Sequence, residues 1–288
     1  MDFGRLITAM VTPFDERLRV DWKQFNRLID YLIEEQQSDA LVVCGTTGES
    51  PTVTDEEKIR LFEAAVEHAR GRCKIIAGTG SNSTMHSVHL TQAAERAGVD
   101  GILLVTPYYN RPSQEGLYEH FKTVAESTKL PVMLYNVPKR TGVELAAETT
   151  IRLSQVPNIV ATKEATSDFA HLSRIISGAS AHFKVYSGDD IITLPALSIG
   201  CYGVVSVASH VVGREMKQMI NSYLNGDPET AARWHAKLHP VFTGLFIAPS
   251  PAPTKYALKL KGMPVGGVRQ PLKNVNESEA KAIRALFE

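Results

Sequence analysis

The sequence predicts an α/β chain folded as a (β/α)8 TIM barrel with a C-terminal helical appendage. Three observations carry this. Short β-rich runs alternate with amphipathic segments eight times, at about 20 to 35 residues per unit. The runs are nearly continuously apolar, as parallel strands covered on both faces are. They stop after residue 224, and three helical patterns follow. Residues 1–224 are read as the catalytic barrel and 225–288 as a three-helix region. A doubly wound open sheet shares the alternation, since pattern alone does not prove closure.

The strands are read as "LITAMVT" (6–12), "ALVVC" (40–44), "KIIAG" (74–78), "GILLVT" (101–106), "PVMLY" (131–135), "NIVATK" (158–163), "FKVYS" (183–187) and "YGVVSV" (202–207). Of the helical segments, "WKQFNRLIDYLIEEQ" gathers Trp22, Phe25, Leu28, Ile29 and Leu32 on one side. The next, "TDEEKIRLFEAAVEHA", opens with Thr54 as N-cap and Glu57 three residues later, a capping box. A third, "TMHSVHLTQAAERAG", ends at Gly98, placed to close it with a left-handed residue. The C-terminal helices are "DPETAARWHAKLHPVFTGLF", "SPAPTKYALKLKG" and "NESEAKAIRALFE".

Composition narrows the class. At 288 residues and 43% hydrophobic, the chain can bury a large single core. Lys+Arg and Asp+Glu both number 31, so no basic surplus points to nucleic acid or an anionic membrane. The three cysteines, Cys44, Cys73 and Cys201, form no CxxC and each sits in or beside an apolar run. They read as reduced, buried thiols of a cytoplasmic protein. The first residues, "MDFGRLITAMVTPF", lack the basic segment and long apolar stretch of a signal peptide. No run approaches the roughly 18 apolar residues of a membrane span.

In a barrel the chemistry belongs at the C-terminal ends of the strands. There the sequence places "TP" (12–13), "GTTGE" (45–49), "GTG" (78–80), "TPYYNRP" (106–112), "YNVPKRTG" (135–142), Lys163, "SGDD" (187–190) and "VSVAS" (204–208). Apart from Glu49, Asp189 and Asp190 this rim has no carboxylate, which suits an anionic substrate. Strand alternation puts Ile159, Ala161 and Lys163 on one face and Val160 and Thr162 on the other. A cation on an apolar face is costly when buried unpaired. Either Lys163 has reached solvent, or its amine is wanted there as a nucleophile. Desolvation and a neighbouring cation, Arg140, would favour the neutral amine, which forms a Schiff base with a ketone or aldehyde.

Tyr135 ends the preceding strand and shares a face with Met133, so it is placed for proton transfer at Lys163. "GTTGE" supplies free backbone N–H groups and two hydroxyls that can hold a carboxylate. Arg140 has the planar fork for bidentate carboxylate binding. Adjacent tyrosines point apart, so one of Tyr108 and Tyr109 at most serves the same pocket. His235 and His239 are spaced i, i+4, but no glutamate base follows the first and Trp234 and Pro240 suggest a packed helix end. His86 and His89 read as a solvated helix face. No metal site and no cofactor are expected. "GMPVGG" lacks the lysine of a phosphate loop, and no GxGxxG follows a strand.

"GTTGES", "TPYYNRPSQEGLYEHF", "YNVPKRTG" and "KEAT", in this order and spacing, resemble the dihydrodipicolinate synthase family of Schiff-base pyruvate lyases. The resemblance runs from about Leu6 to the final helices. It implies that pyruvate condenses with Lys163 and that the enamine attacks aspartate semialdehyde, in the diaminopimelate route to lysine. Thr47, Tyr135 and Tyr109 would form the proton relay, with Tyr109 supplied by a neighbouring subunit of a dimer or a dimer of dimers. Thr46 and Thr47 would hold the pyruvate carboxylate, and Arg140 that of the semialdehyde. Gly188 and Val205 would line the lysine pocket through their backbone. Sibling lyases of sialic acid or 2-keto-3-deoxy sugar acids share the Lys and Tyr but tend to lack the arginine.

The family's lysine-feedback site is matched by Ser50, Asn82 and Tyr108. Asp55 and Lys58 stand where its histidines would be, and His86 where its glutamate would be, so weak feedback is expected. Three other classes make different demands. A pyridoxal-phosphate enzyme needs a phosphate cup and a partner for the ring nitrogen. A silent binding protein would have lost part of the Lys, Tyr, Thr and Arg set. A metal-dependent aldolase needs histidines and carboxylates clustered at the strand ends.

Overall fold

The computed structural model describes residues 2–288. Eight strands form a closed barrel: β1 (Leu6–Ala9), β2 (Ala40–Val43), β3 (Lys74–Gly78), β4 (Gly101–Val105), β5 (Val132–Asn136), β6 (Ile159–Glu164), β7 (Lys184–Ser187) and β8 (Gly203–Ser206). All neighbours are parallel, and β8 returns to β1 with Leu6 opposite Val204 and Ile7 opposite Val205. That last pairing decides for the barrel over the open sheet.

Several runs end earlier than their apolar character predicts. β1 stops at Ala9, although Met10 still donates its N–H to Val42 O at 3.0 Å. Residues 10–12 leave the ladder to build the rim ahead of Pro13. The wall has two apolar layers. Ile7, Val42, Ile76, Leu103, Met133 and Tyr186 fill the barrel. Leu6, Leu41, Ile75, Leu104 and Leu134 face the helices.

The expected alternation fails at one point of β6. Val132 pairs with Ile159 but Met133 pairs with Ala161, a bulge that passes over Val160. Ile159 therefore packs in the outer layer while Ala161 lies inside. From Ala161 onward the register is regular, and it sets Lys163 beside Tyr135 on one side and Tyr186 on the other.

The surrounding helices are α1 (Trp22–Glu34), α2 (Asp55–Ala69), α3 (Thr84–Arg96), α4 (Gln114–Glu126), α5 (Pro138–Thr141), α6 (Ala147–Leu153), α7 (Phe169–Gly178), α8 (Thr193–Ser198) and α9 (Ser209–Leu224). Their starts follow local chemistry. Thr54 and Glu57 close the capping box of α2, and Asp21, Ser83, Ser113 and Asp168 cap α1, α3, α4 and α7. Each such cap contributes about 1 kcal/mol. Beyond them lie α10 (Pro228–Gly244), α11 (Ala252–Leu260) and α12 (Glu277–Arg284). Leu238, Phe242, Leu258 and Ile283 of these helices belong to the same apolar cluster as the barrel's outer layer. No helix among the described residues is long and apolar enough to cross a membrane.

Candidate active site

Lys163 is only 5% exposed, with its ammonium 4.1 Å from the centre of the Tyr135 ring. No carboxylate stands within ion-pair distance of it among the described residues. A cation over an aromatic face is attracted to the ring, but this contact leaves the nitrogen free of a fixed acceptor. Gly188 closes the pocket beside it. A Cβ there would lie 3.0 Å from Lys163 Cε and 3.1 Å from Cγ, so the β7 turn rests against the lysine stem because it has no side chain. The Gly188 N–H donates to Glu164 O at 2.8 Å and fixes that approach. Val205 is buried in the barrel interior with Tyr135 and Tyr186.

Glu164 follows Lys163 but points outward. It is fully buried, accepting from Thr162 Oγ1 at 2.8 Å and from Asn136 Nδ2 at 2.9 Å. His171 Nε2 stands 3.3 Å away, and the Glu164 carboxylate raises this imidazole above its ordinary pKa. Asn136 also donates to Leu145 O and accepts from Leu145 N, at 3.1 and 3.0 Å. Those bonds close the loop that carries Arg140. Thr106 caps the end of β5, its N–H and hydroxyl both donating to Tyr135 O.

Arg140 is exposed on the single turn α5 and forms no ion pair among the described residues. With Thr46, Tyr135 and Tyr108 it lines a cavity of about 470 Å³. The loop after β2 is a pair of overlapping turns: Gly45 O accepts from Gly48 N and Ser50 N, and Thr46 O accepts from Glu49 N. Thr46 is half-buried on the cavity and Thr47 is buried behind it.

The two tyrosines do part. Tyr108 lines the cavity, whereas Tyr109 is 89% exposed with φ at +74°. Its N–H donates to Thr141 O at 3.2 Å, tying it to the Arg140 turn. Its side chain is not brought into this chain's cavity. Ser50, Asp55, Lys58 and His86 line the other side of the same cavity. Asp55 stands 2.8 Å from His86 and 3.5 Å from Lys58. Burial opposes its ionisation, but the His86 hydrogen bond and the interactions with His86 and Lys58 outweigh it and hold the carboxyl low. His86 is thus paired rather than simply solvated. Asn82 is not in the lining; its carbonyl accepts from Asn110.

The rim carboxylates are disposed differently from what their positions suggest. Asp190 is turned inward, where Oδ2 accepts from the Val207 and Ala208 N–H groups at 3.1 and 2.8 Å. Burial pushes its carboxyl up to about 6. Asp189 caps the turn at Ile191. Glu49 is buried against Lys255, whose ammonium lies 2.6 Å from Oε1. Sequence reading missed Lys255; a lysine amid the apolar positions of "SPAPTKYALKLKG" was the available signal. His235 packs near the ring of Phe242, and among the described residues no three His, Cys, Asp or Glu side chains cluster as a metal site would require.

A buried amine with no acidic partner, set beside a phenol at the mouth of a (β/α)8 barrel, belongs to a lyase. The comparisons narrow this. The Dihydrodipicolinate synthetase family profile matches residues 2–288, and the chain belongs to that family. The 4-hydroxy-tetrahydrodipicolinate synthase of Bacillus velezensis is 56% identical over 287 residues, covering 100% of this chain and 99% of the relative. A dihydrodipicolinate synthase crystal structure from Bacillus anthracis superposes with a TM-score of 0.98 at 49% identity, covering 100% and 98% of the two chains. That of Cyanidioschyzon merolae with lysine bound gives 0.97 at 45% identity, covering 99% and 97%.

Proposed function

We propose that this chain is a 4-hydroxy-tetrahydrodipicolinate synthase, condensing pyruvate with L-aspartate 4-semialdehyde through a Schiff base on Lys163. The observation that carries the reading is the buried Lys163 amine, held over Tyr135 with no carboxylate to pair with it. The neutral amine adds to the ketone of pyruvate. Loss of one water gives the imine, and loss of a methyl proton gives the enamine. The enamine carbon then bonds to the aldehyde carbon of the semialdehyde. The aldehyde oxygen takes a proton to become a hydroxyl, and the semialdehyde's own α-amine then attacks the imine carbon and displaces the Lys163 amine as the ring closes. Tyr135, whose ring centre lies 4.1 Å from the nitrogen, is placed to pass protons at the carbinolamine. Thr46 and Thr47 take the pyruvate carboxylate on the turn after β2, and Arg140, lacking an ion pair, takes that of the semialdehyde. No cofactor is needed, because the lysine itself is the electron sink.

Tyr109 completes the relay from a second copy. A tyrosine 89% exposed and held in a left-handed backbone is accounted for if a neighbouring subunit receives it. The working form is then at least a dimer, and a tetramer built as a dimer of dimers in the cytoplasm. Feedback by lysine is weak, because Asp55 is committed to His86 and Lys58 and leaves the ligand's ammonium no free carboxylate. Borohydride reduction in the presence of pyruvate, followed by intact mass and peptide mapping, tests the mechanism. A pyruvate-derived adduct on Lys163 is expected; a folded protein with no adduct overturns the assignment.

A further inference from the structure

The loop that carries Thr46 and Thr47 is held from outside the barrel. Glu49 comes two residues after Thr47 and adopts φ +58°, a left-handed conformation that non-glycine residues keep only when their surroundings hold them. Its carboxylate is fully buried and turned toward the C-terminal region. Lys255 of α11 lies 2.6 Å from Oε1, and Arg269 donates its backbone N–H to Oε2 at 2.8 Å. Lys255 also donates to Gly267 O at 2.6 Å and stands 4.2 Å from the Phe14 ring.

Arg269 extends the grip. Its guanidinium makes two bonds to Glu57, at 2.7 and 2.6 Å, and donates to Thr52 O at 2.7 Å and Leu18 O at 2.9 Å. Between these anchors the chain is wedged against the loop after β1. Phe14 N donates to Val265 O at 3.0 Å. Gly266 has φ +76°, and a Cβ there would stand 1.9 Å from Phe14 O. From the loop after β1, Thr12 Oγ1 donates to Gly48 O at 2.7 Å. The Glu49 carboxylate and the Gly48 carbonyl bring this set of ties to the turn bearing the two threonines.

We propose that the 263–270 strap and the Glu49–Lys255 ion pair are positioning elements for the pyruvate carboxylate site, with the C-terminal region setting the geometry of Thr46 and Thr47. This rests on the reading that those threonines hold the carboxylate. Stability alone explains the pair poorly, since replacing a buried ion pair with well-packed apolar groups is often neutral or stabilising. Burial depresses the Lys255 ammonium to about 8 despite the Glu49 charge, so the pair is held against a standing desolvation cost. What it achieves is geometric: a charged, two-sided hold on a carboxylate beside a strained residue of the substrate loop.

The test uses the full-length protein with two variants, Glu49→Gln/Lys255→Met and Arg269→Gln. The first removes both buried charges and leaves neither unpaired. The second leaves the pair and frees the strap from Glu57 and Thr52. KM for each substrate and kcat are measured on protein shown folded by circular dichroism. The pyruvate KM is expected to rise about tenfold in the double variant and about threefold in Arg269→Gln, with the semialdehyde KM within about twofold of wild type. A merely structural role would lower the active fraction, and so kcat, without moving the pyruvate KM; that result overturns the proposal. If the double variant does not fold, an unchanged pyruvate KM in Arg269→Gln overturns it alone. Thr46→Val separates the two readings. Should it leave the pyruvate KM unchanged, the threonine assignment fails. Should it raise that KM while both strap variants do not, the coupling fails and the threonine assignment stands.

Discussion

The barrel carries a lysine against a tyrosine ring at each end. At the C-terminal rim the Lys163 ammonium lies 4.1 Å from the Tyr135 ring centre; at the N-terminal rim Lys184 lies 3.7 Å from that of Tyr202. The surroundings differ. Lys184 is paired with Asp2 at 2.9 Å, the Tyr202 hydroxyl donates to the same carboxylate, and Arg5 stacks 3.9 Å from the ring centre. The lysine there has its carboxylate, and Arg5 is held by the Tyr202 ring and carbonyl. Lys163 has the ring and no acid, and the nearest carboxylate in sequence, Glu164, is turned outward to Thr162 and Asn136. The same two residue types thus form a fastening where a carboxylate completes them and leave an amine without an acid where one is withheld, as the proposed Schiff-base role of Lys163 requires. In this fold the N-terminal face is the stabilising one and the C-terminal face the reactive one.

The contrast breaks most visibly by removing the amines. Lys163→Met is expected to cost about a thousandfold or more in kcat, or roughly 4 kcal/mol of barrier, and to abolish the borohydride adduct. Lys184→Met should leave kcat within about twofold of wild type and lower only the melting temperature, since an exposed pair of this kind contributes about 1 kcal/mol or less. Equal losses in steady-state assays of the two variants would remove the distinction.

The phenols come next. Tyr135→Phe is expected to lower kcat about a hundredfold, the low end of what a placed general acid–base group contributes. Tyr202→Phe should not alter kcat. Arg140→Ala sharpens the comparison from the substrate side. It should raise the semialdehyde KM by about ten- to a hundredfold while the pyruvate adduct still forms on Lys163. An adduct lost together with aldehyde binding would mean that Arg140 serves the amine instead.

Acid and base should probe the two ends with opposite sign. Burial works against the Asp2 carboxylate, but Tyr202 and Lys184 hold it down to about 2 from 3.8. Its folded pKa is depressed, so its contribution is present above about pH 4 and lost as pH falls toward about 2. At the other rim Glu164 raises the His171 imidazole. That contribution is complete below the ordinary histidine pKa and lost as pH rises through the folded value. Melting curves of Asp2→Asn and His171→Gln against pH should show the first difference from wild type vanish in acid and the second shrink in base. The smallest expected effect is feedback: micromolar lysine should leave the rate unchanged, and inhibition in that range would show that the committed Asp55 can still be recruited.

By itself the sequence determined the elements and which residues stand at the barrel's rim. Apolar runs, caps such as Thr54 with Glu57, and Gly98 after α3 act over a few residues, and the structure follows them. Lys163, Tyr135, Thr46 and Arg140 were legible because strand ends and proline turns mark the rim of a barrel. Tertiary structure alone decided the rest, because register and burial depend on partners far away in the chain. Closure needed Ile7 to meet Val205. The bulge at Val160, set by pairing with β5, put Ile159 outside while leaving Lys163 within. Asp190 looked like a rim acid until the Val207 and Ala208 N–H groups drew it inward. Glu49 likewise belonged to the rim in sequence, yet its partners are Lys255 and Arg269, more than 200 residues on. Local pattern tells which groups stand at the rim; only packing tells which of their charges are already satisfied.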